Sequence, residues 1–191
     1  EAFAEQIAKA GDQVGGAMGA AGAAAAAAAA AVASGGLQGK AAEAIDFREL
    51  KALLPEELSG MNRTKAEGQK SGTMGFTLST AEARYENKDG GRIKLTITDA
   101  GAVAGMAGMA LYAWAGMEID KEDANGYEKT TTIDGNRGYE KYDRSSKSGE
   151  VSLLIAGRFI IQLEGDNISM DDLKSALKKV NLDKLEGMKN V

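Results

Sequence analysis

Hydrophobic and polar positions alternate most regularly over residues 92–98, where Ile93, Leu95 and Ile97 interleave with Arg92, Lys94 and Thr96. A period of two is the signature of a strand with one buried face and one wet face. Similar stretches fall at 61–67 and at 72–87, the latter carrying Phe76 and Leu78, then Ala81, Ala83 and Tyr85. Four more follow at 127–133, 139–143, 150–155 and 159–164. Turns are expected at Asp89-Gly90-Gly91, Asp134-Gly135, Ser148-Gly149 and Ala156-Gly157, where glycine tolerates the backbone that a tight reversal requires.

Helical spacing appears elsewhere. Residues 1–10 place Phe3, Ile7 and Ala10 on one face, and 40–54 offer Ile45, Leu50 and Leu53 before Pro55 stops the pattern. An uncharged run, 100–117, predicts a buried helix over 102–117, with Gly105 and Gly108 allowing close approach to a sheet and Trp114 anchoring it in the core. Ser169 is an N-cap for a final helix, favoured by Asp171 and Asp172 in its first turn, with Leu173, Leu177 and Val180 as its stripe, continued by Leu182 and Leu185. Residues 56–60 and 118–126 read as loops. Strands, helix, strands, helix imply an α+β fold: an antiparallel sheet with helices packed on it. Ile93, Leu95, Ile97, Trp114, Leu153, Ile155, Phe159, Ile161 and Leu173 are the expected core.

Ahead of this lies a segment of another character. From Val14 to Leu37 there is no charge, and Ala23 to Ala31 are nine consecutive alanines. Alanine is the best helix former, so 17–34 should be helical, ended by Gly35 and Gly36, in a rod of roughly 27 Å. Methyl groups on every side give it no amphipathic face but let neighbouring backbones come close. Self-association through Ala20, Ala23, Ala24, Ala26, Ala27, Ala28, Ala30 and Ala31 is the expected use; a spacer is the plainer one. The chain therefore divides into an Ala/Gly-rich helical segment, 1–46, and a globular domain, 47–191.

Composition narrows the classes. The 191 residues carry a net charge of −5, with −3 over residues 1–46 from two bases against five acids. Neither part is basic, which argues against nucleic acid as a partner. There is no histidine and no cysteine, so disulfides and thiolate metal sites are excluded. Residues 14–37 and 100–117 are long enough to suggest membrane spans, but Ala and Gly drive insertion weakly; membrane association through the first stays possible but is not expected.

The runs KALLPEELSGMNRT, AEARYENKDGGRIKLTITDAG, GYEKTTTIDGNRGYEKYD and GRFIIQLEG together resemble a group of uncharacterised bacterial secreted or lipoprotein-type domains. The resemblance spans 50–185 and leaves out the alanines. It implies an extracytoplasmic location, periplasmic, cell-surface or secreted, and no particular chemistry. The lipoprotein form carries an acylated cysteine; this chain has none.

Candidate chemistry is sparse. Gly35-Gly36-Leu37-Gln38-Gly39-Lys40 is one residue short of a phosphate loop and has Ala41 where the magnesium hydroxyl belongs. Glu118, Asp120, Glu122, Asp123 and Asn125 could gather calcium, but aligning Gly126 with the loop glycine puts Lys121 at the first ligand position. Asn62-Arg63-Thr64 and Asn167-Ile168-Ser169 match the glycosylation sequon. Tyr127, Tyr139 and Tyr142, set among Glu128, Lys129, Glu140 and Lys141, suggest a cross-strand ladder or a ligand groove. No nucleophile–base arrangement is present, so the expectation is a non-enzymatic structural or assembly protein without cofactor or metal, forming a homo-oligomer or filament. The alternative is a periplasmic or membrane-tethered ligand-binding or chaperone-like module with the alanines as spacer.

Overall fold

A computed structural model describes residues 43–73, 76–99, 101 and 113–189. The expectations for the alanine-rich helix, its self-association alanines and the helix over 1–10 lie outside the described residues, as does most of the helix expected at 102–117.

Among the described residues nine strands form one antiparallel sheet: β1 (Glu57–Leu58), β2 (Met61–Thr73), β3 (Phe76–Glu86), β4 (Arg92–Asp99), β5 (Asp120–Glu122), β6 (Gly126–Ile133), β7 (Asn136–Asp143), β8 (Ser148–Ile155) and β9 (Phe159–Asp166). Their order is β1-β2-β3-β4-β9-β8-β7-β6-β5. Two meanders thus meet at the centre. The chain leaves β4 for the far edge, then works back until β9 closes against β4, pairing Leu95 with Leu163 and Ile97 with Ile161.

The α+β expectation is corrected by this sheet: the fold is β-rich. Among the described residues the α-helices are α1 (Phe47–Lys51), α2 (Met170–Leu177) and α3 (Leu182–Gly187), five, eight and six residues long. Two causes explain the difference. Of the helix expected over 40–54, the described residues 43–54 hold only α1, because Asp46 caps it by accepting from the Arg48 N–H and the chain at 43–46 is not helical. The strands also run on through polar and glycine residues, such as Asn136-Arg137-Gly138 and Ser148-Gly149, whose backbone groups are held by ladders on their neighbours. The expected turn at Ser148-Gly149 therefore sits at 144–147, and the loops at 56–60 and 118–126 each contain a short edge strand, β1 and β5.

One face of the sheet carries the core. Ala81, Ala83 and Tyr85 of β3, Ile93, Leu95 and Ile97 of β4, Val151, Leu153 and Ile155 of β8, and Phe159, Ile161 and Leu163 of β9 are buried together. The three helices cover that face. Leu50 comes from α1, Leu173, Ala176 and Leu177 from α2, Val180 from the turn between α2 and α3, and Leu185 from α3. Gly165 and Gly149 leave room for α2, since a Cβ at Gly149 would lie 3.1 Å from Leu173 and one at Gly165 only 2.8 Å from it. Ser169 caps α2 through the Asp172 N–H, as its sequence indicates.

The opposite face is mixed. Leu78 belongs there, since no register shift separates it from Ala81 in the ladder with β2 and the two differ in phase. Trp114, in a 3-10 turn at Ala113–Gly116, also belongs there: it is half-buried, with its ring 5.9 Å from that of Tyr139. The expected placement of Trp114 in the core is thereby corrected, while Ile93, Leu95, Ile97, Leu153, Ile155, Phe159, Ile161 and Leu173 are buried as expected.

Candidate functional site

Asp99 and Arg158 form the most deeply buried ion pair. Asp99 follows Ile93, Leu95 and Ile97 in the inward phase of β4, so its carboxylate points where an apolar residue is expected. Arg158 meets it side-on, with Nε–Oδ1 and Nη2–Oδ2 both 2.9 Å. The Ile45 and Gly101 N–H groups donate to the same carboxylate at 2.8 Å each. Arg158 also donates to the carbonyls of Glu43 and Lys189. Two buried charges are costly unless geometry and remaining hydrogen bonds are complete, and here they are well supplied. The pair ties the start of the described chain to its end, which is a structural task.

Glu140 is a second buried carboxylate, on the core face of β7. Lys174 of α2 reaches it at 3.0 Å and Lys129 at 3.8 Å. The Tyr127 hydroxyl donates to it over 3.5 Å. Burial, then the Glu140 charge and hydrogen bond, push the Tyr127 pKa up to about 12. Tyr127 and Tyr142 face each other across β6 and β7, ring centroids 6.4 Å apart, and the Tyr142 hydroxyl donates to the Ile168 carbonyl. This cluster fastens α2 to the sheet. Tyr139 lies on the other face, so the three tyrosines do not make a single ladder.

On that other face a charged row crosses the strands: Glu128, Lys141, Glu150, Glu164 and Lys94 are successive partners. Burial raises the Glu150 pKa, and the Glu164 charge adds to this, against hydrogen bonds from Ser152 and Gln162. Lys94 pairs with Glu164. Within the row only Lys94 and Glu164 are joined; the Glu150 carboxylate is held by Ser152 and Gln162 beside it.

The acidic loop does not gather its carboxylates. The Asp123 carboxylate accepts from the Asn125 and Gly126 N–H groups at 2.7 and 2.9 Å, and Glu122 pairs with Arg144 at 2.6 Å. Among the described residues no cluster of three or more acidic side chains stands close enough to hold a metal ion. At the turn end of the sheet lies an open cleft of about 460 Å³, lined by Ser59, Asn87, Arg144, Lys147, Asn167 and Ser169 among others. Ser59, Lys147 and Asn167 each hold a positive φ there, of 47°, 51° and 51°. Non-glycine residues in this region store strain, which collects at functional sites as well as in tight turns.

The β2 edge differs from all of these. β2 is 13 residues long, but β1 pairs only with Met61 and Asn62, and the Arg63 N–H donates to the Glu56 carbonyl. Over 64–73 the side of β2 away from β3 meets no strand among the described residues, and its outward N–H and C=O groups have no partner there. Lys65, Glu67, Gln69, Lys70 and Ser71 along it are exposed. Lys65 pairs with Glu67 at 2.8 Å, and that ammonium holds the Glu67 carboxyl below its ordinary range. At mid-edge Gly68 lies under the half-buried Phe47 ring, where a Cβ would come within 2.7 Å of Cδ2. Such a run of backbone groups is a template for another strand.

No family model, curated protein or solved structure matches the chain. Among the described residues no helix is long and apolar enough to cross a membrane. The edge escapes a sequence reading because strand order depends on long-range pairing. Asp99 carried a readable signal, a charge in the inward phase of an apolar strand.

Proposed function

We propose that the chain is a non-enzymatic structural protein that self-associates outside the cytoplasm, its sheet domain carried on the alanine-rich segment. The observation that carries the reading is the β2 edge, ten residues of strand with no neighbour on their outer side among the described residues, in a molecule whose buried carboxylates Asp99 and Glu140 are paired. Composition supports the second contact surface, residues Ala20 to Ala31, where methyl side chains permit close helix approach. The resemblance to secreted bacterial domains supports the location. Light scattering on the full chain across a hundredfold concentration range tests the reading: mass should rise with concentration. A constant monomer mass would refute it.

A second reading, a ligand-binding module, rests on the cleft lined by Ser59, Lys147 and Asn167, where three strained backbone positions converge. There the Lys147 side chain has no partner among the described residues. Saturable binding of small anions that is lost in Lys147→Ala would favour it over assembly.

A further inference from the structure

The unpaired edge of β2 has a symmetry that names its occupant. In the regular, exposed stretch from Lys65 to Ser71 the middle residue is Gly68. An antiparallel partner related by a twofold axis through Gly68 would set Glu67 opposite Gln69, Ala66 opposite Lys70 and Lys65 opposite Ser71, each twice. Residues opposed in this way share a face of the continuous sheet, as antiparallel pairing demands. No like charges face each other in this register. A shift that centred the axis on Glu67 or Lys70 would oppose two identical charges, one centred on Ala66 would bring the register shift between Arg63 and Lys65 within two residues of the axis, and one centred on Gln69 would set Lys70 opposite the Gly68 that lies under Phe47. Gly68 at the axis keeps the strand free of a side chain beneath Phe47, so the two half-buried Phe47 rings would approach across the axis on the core side. Aromatic side chains beside a closing edge are typical interface anchors.

We infer that β2 pairs with β2 of a second copy of this chain, antiparallel about Gly68, joining two nine-stranded sheets into one. This rests on the self-association reading above and specifies its geometry. The strand carries charges that guard against indiscriminate pairing, Lys65, Glu67 and Lys70, and they are the groups that select one register.

The absence of cysteine makes the register directly testable in the full chain. Glu67→Cys and Gln69→Cys are exposed changes; mixed together under mild oxidation they should cross-link several times faster than either does alone. Gln69→Glu places a carboxylate opposite each Glu67 and should weaken the dimer about tenfold, while Gln69→Lys should tighten it by about as much. Both should leave the melting of the dilute monomer unchanged. Ala27→Asp should leave the edge dimer intact. If association is instead lost in Ala27→Asp and indifferent to Gln69→Glu, the edge pairing is wrong while self-association stands. A chain that stays monomeric at every concentration overturns both.

Discussion

The centre and the β2 edge of the sheet treat polar groups in opposite ways. At the centre, the buried Asp99 carboxylate receives two bonds from Arg158 and one each from the Ile45 and Gly101 N–H groups. At the edge, the outward backbone groups of 64–73 receive nothing among the described residues. A folded chain satisfies its buried polar groups because leaving one unpaired costs about 1–3 kcal/mol, more for charges. Exposed groups bear no such cost, and water serves them. The difference teaches where each region's partner is: for the central ion pair it is within the chain, and at the edge it is left to solvent or to another strand.

Changes at the centre should therefore act on folding and leave association alone. The largest effect is expected for Arg158→Ala, which strands Asp99 without its cation and should cost about 3–5 kcal/mol in chemical denaturation. The double change Arg158→Leu with Asp99→Leu should recover only part of that loss, since it removes the desolvation of both charges but leaves the Ile45 and Gly101 N–H groups without their acceptor. Should the single change cost under about 1 kcal/mol, the pair is not the clasp described here.

Next comes Glu140→Gln, which takes the anion from Lys174, Lys129 and Tyr127 and should cost about 1–3 kcal/mol. Its half-exposed lysines turn to water, so the loss is smaller than at Arg158. Trp114→Ala should fall below the roughly 3–5 kcal/mol typical of a fully buried aromatic, because the ring is half-buried on the outer face. A loss within that range would return Trp114 to the core.

A smaller effect follows from pH. Burial pushes Tyr85 and Tyr127 up to about 12. The unfolded chain releases these protons near pH 10, the folded one only near 12, so the unfolded state binds fewer protons between the two. Stability is thus complete below pH 10 and declines as pH rises towards 12. Denaturation midpoints between pH 9 and 11.5 should fall, and Tyr127→Phe should flatten the slope. A slope unchanged in that variant contradicts the burial of the Tyr127 hydroxyl beside Glu140.

Much of this was legible in the sequence, unevenly. The alternation around Ile93, Leu95 and Ile97 marks β4, and Ser169 with Leu173 and Leu177 marks α2, because local pattern and tertiary burial agree there. β1 and β5 carry no such pattern; they exist because longer neighbours, β2 and β6, template them. Tyr139 and Tyr142 look equivalent in sequence, but they differ by an odd number of positions and fall on opposite faces. Leu78 and Ala81 are separated for the same reason. The free edge was illegible altogether, since Lys65 to Ser71 read alike whether a strand lies on one side or both.

Hydrogen exchange followed by NMR in the full chain, at increasing protein concentration, tests the free edge most directly. If β2 docks on a second copy, the outward amides among 64–73 should exchange rapidly in dilute solution and become protected as concentration rises, while those of Arg92–Asp99 stay slow throughout. Protection at 64–73 that does not change with concentration, whether high or low, would contradict pairing through this edge.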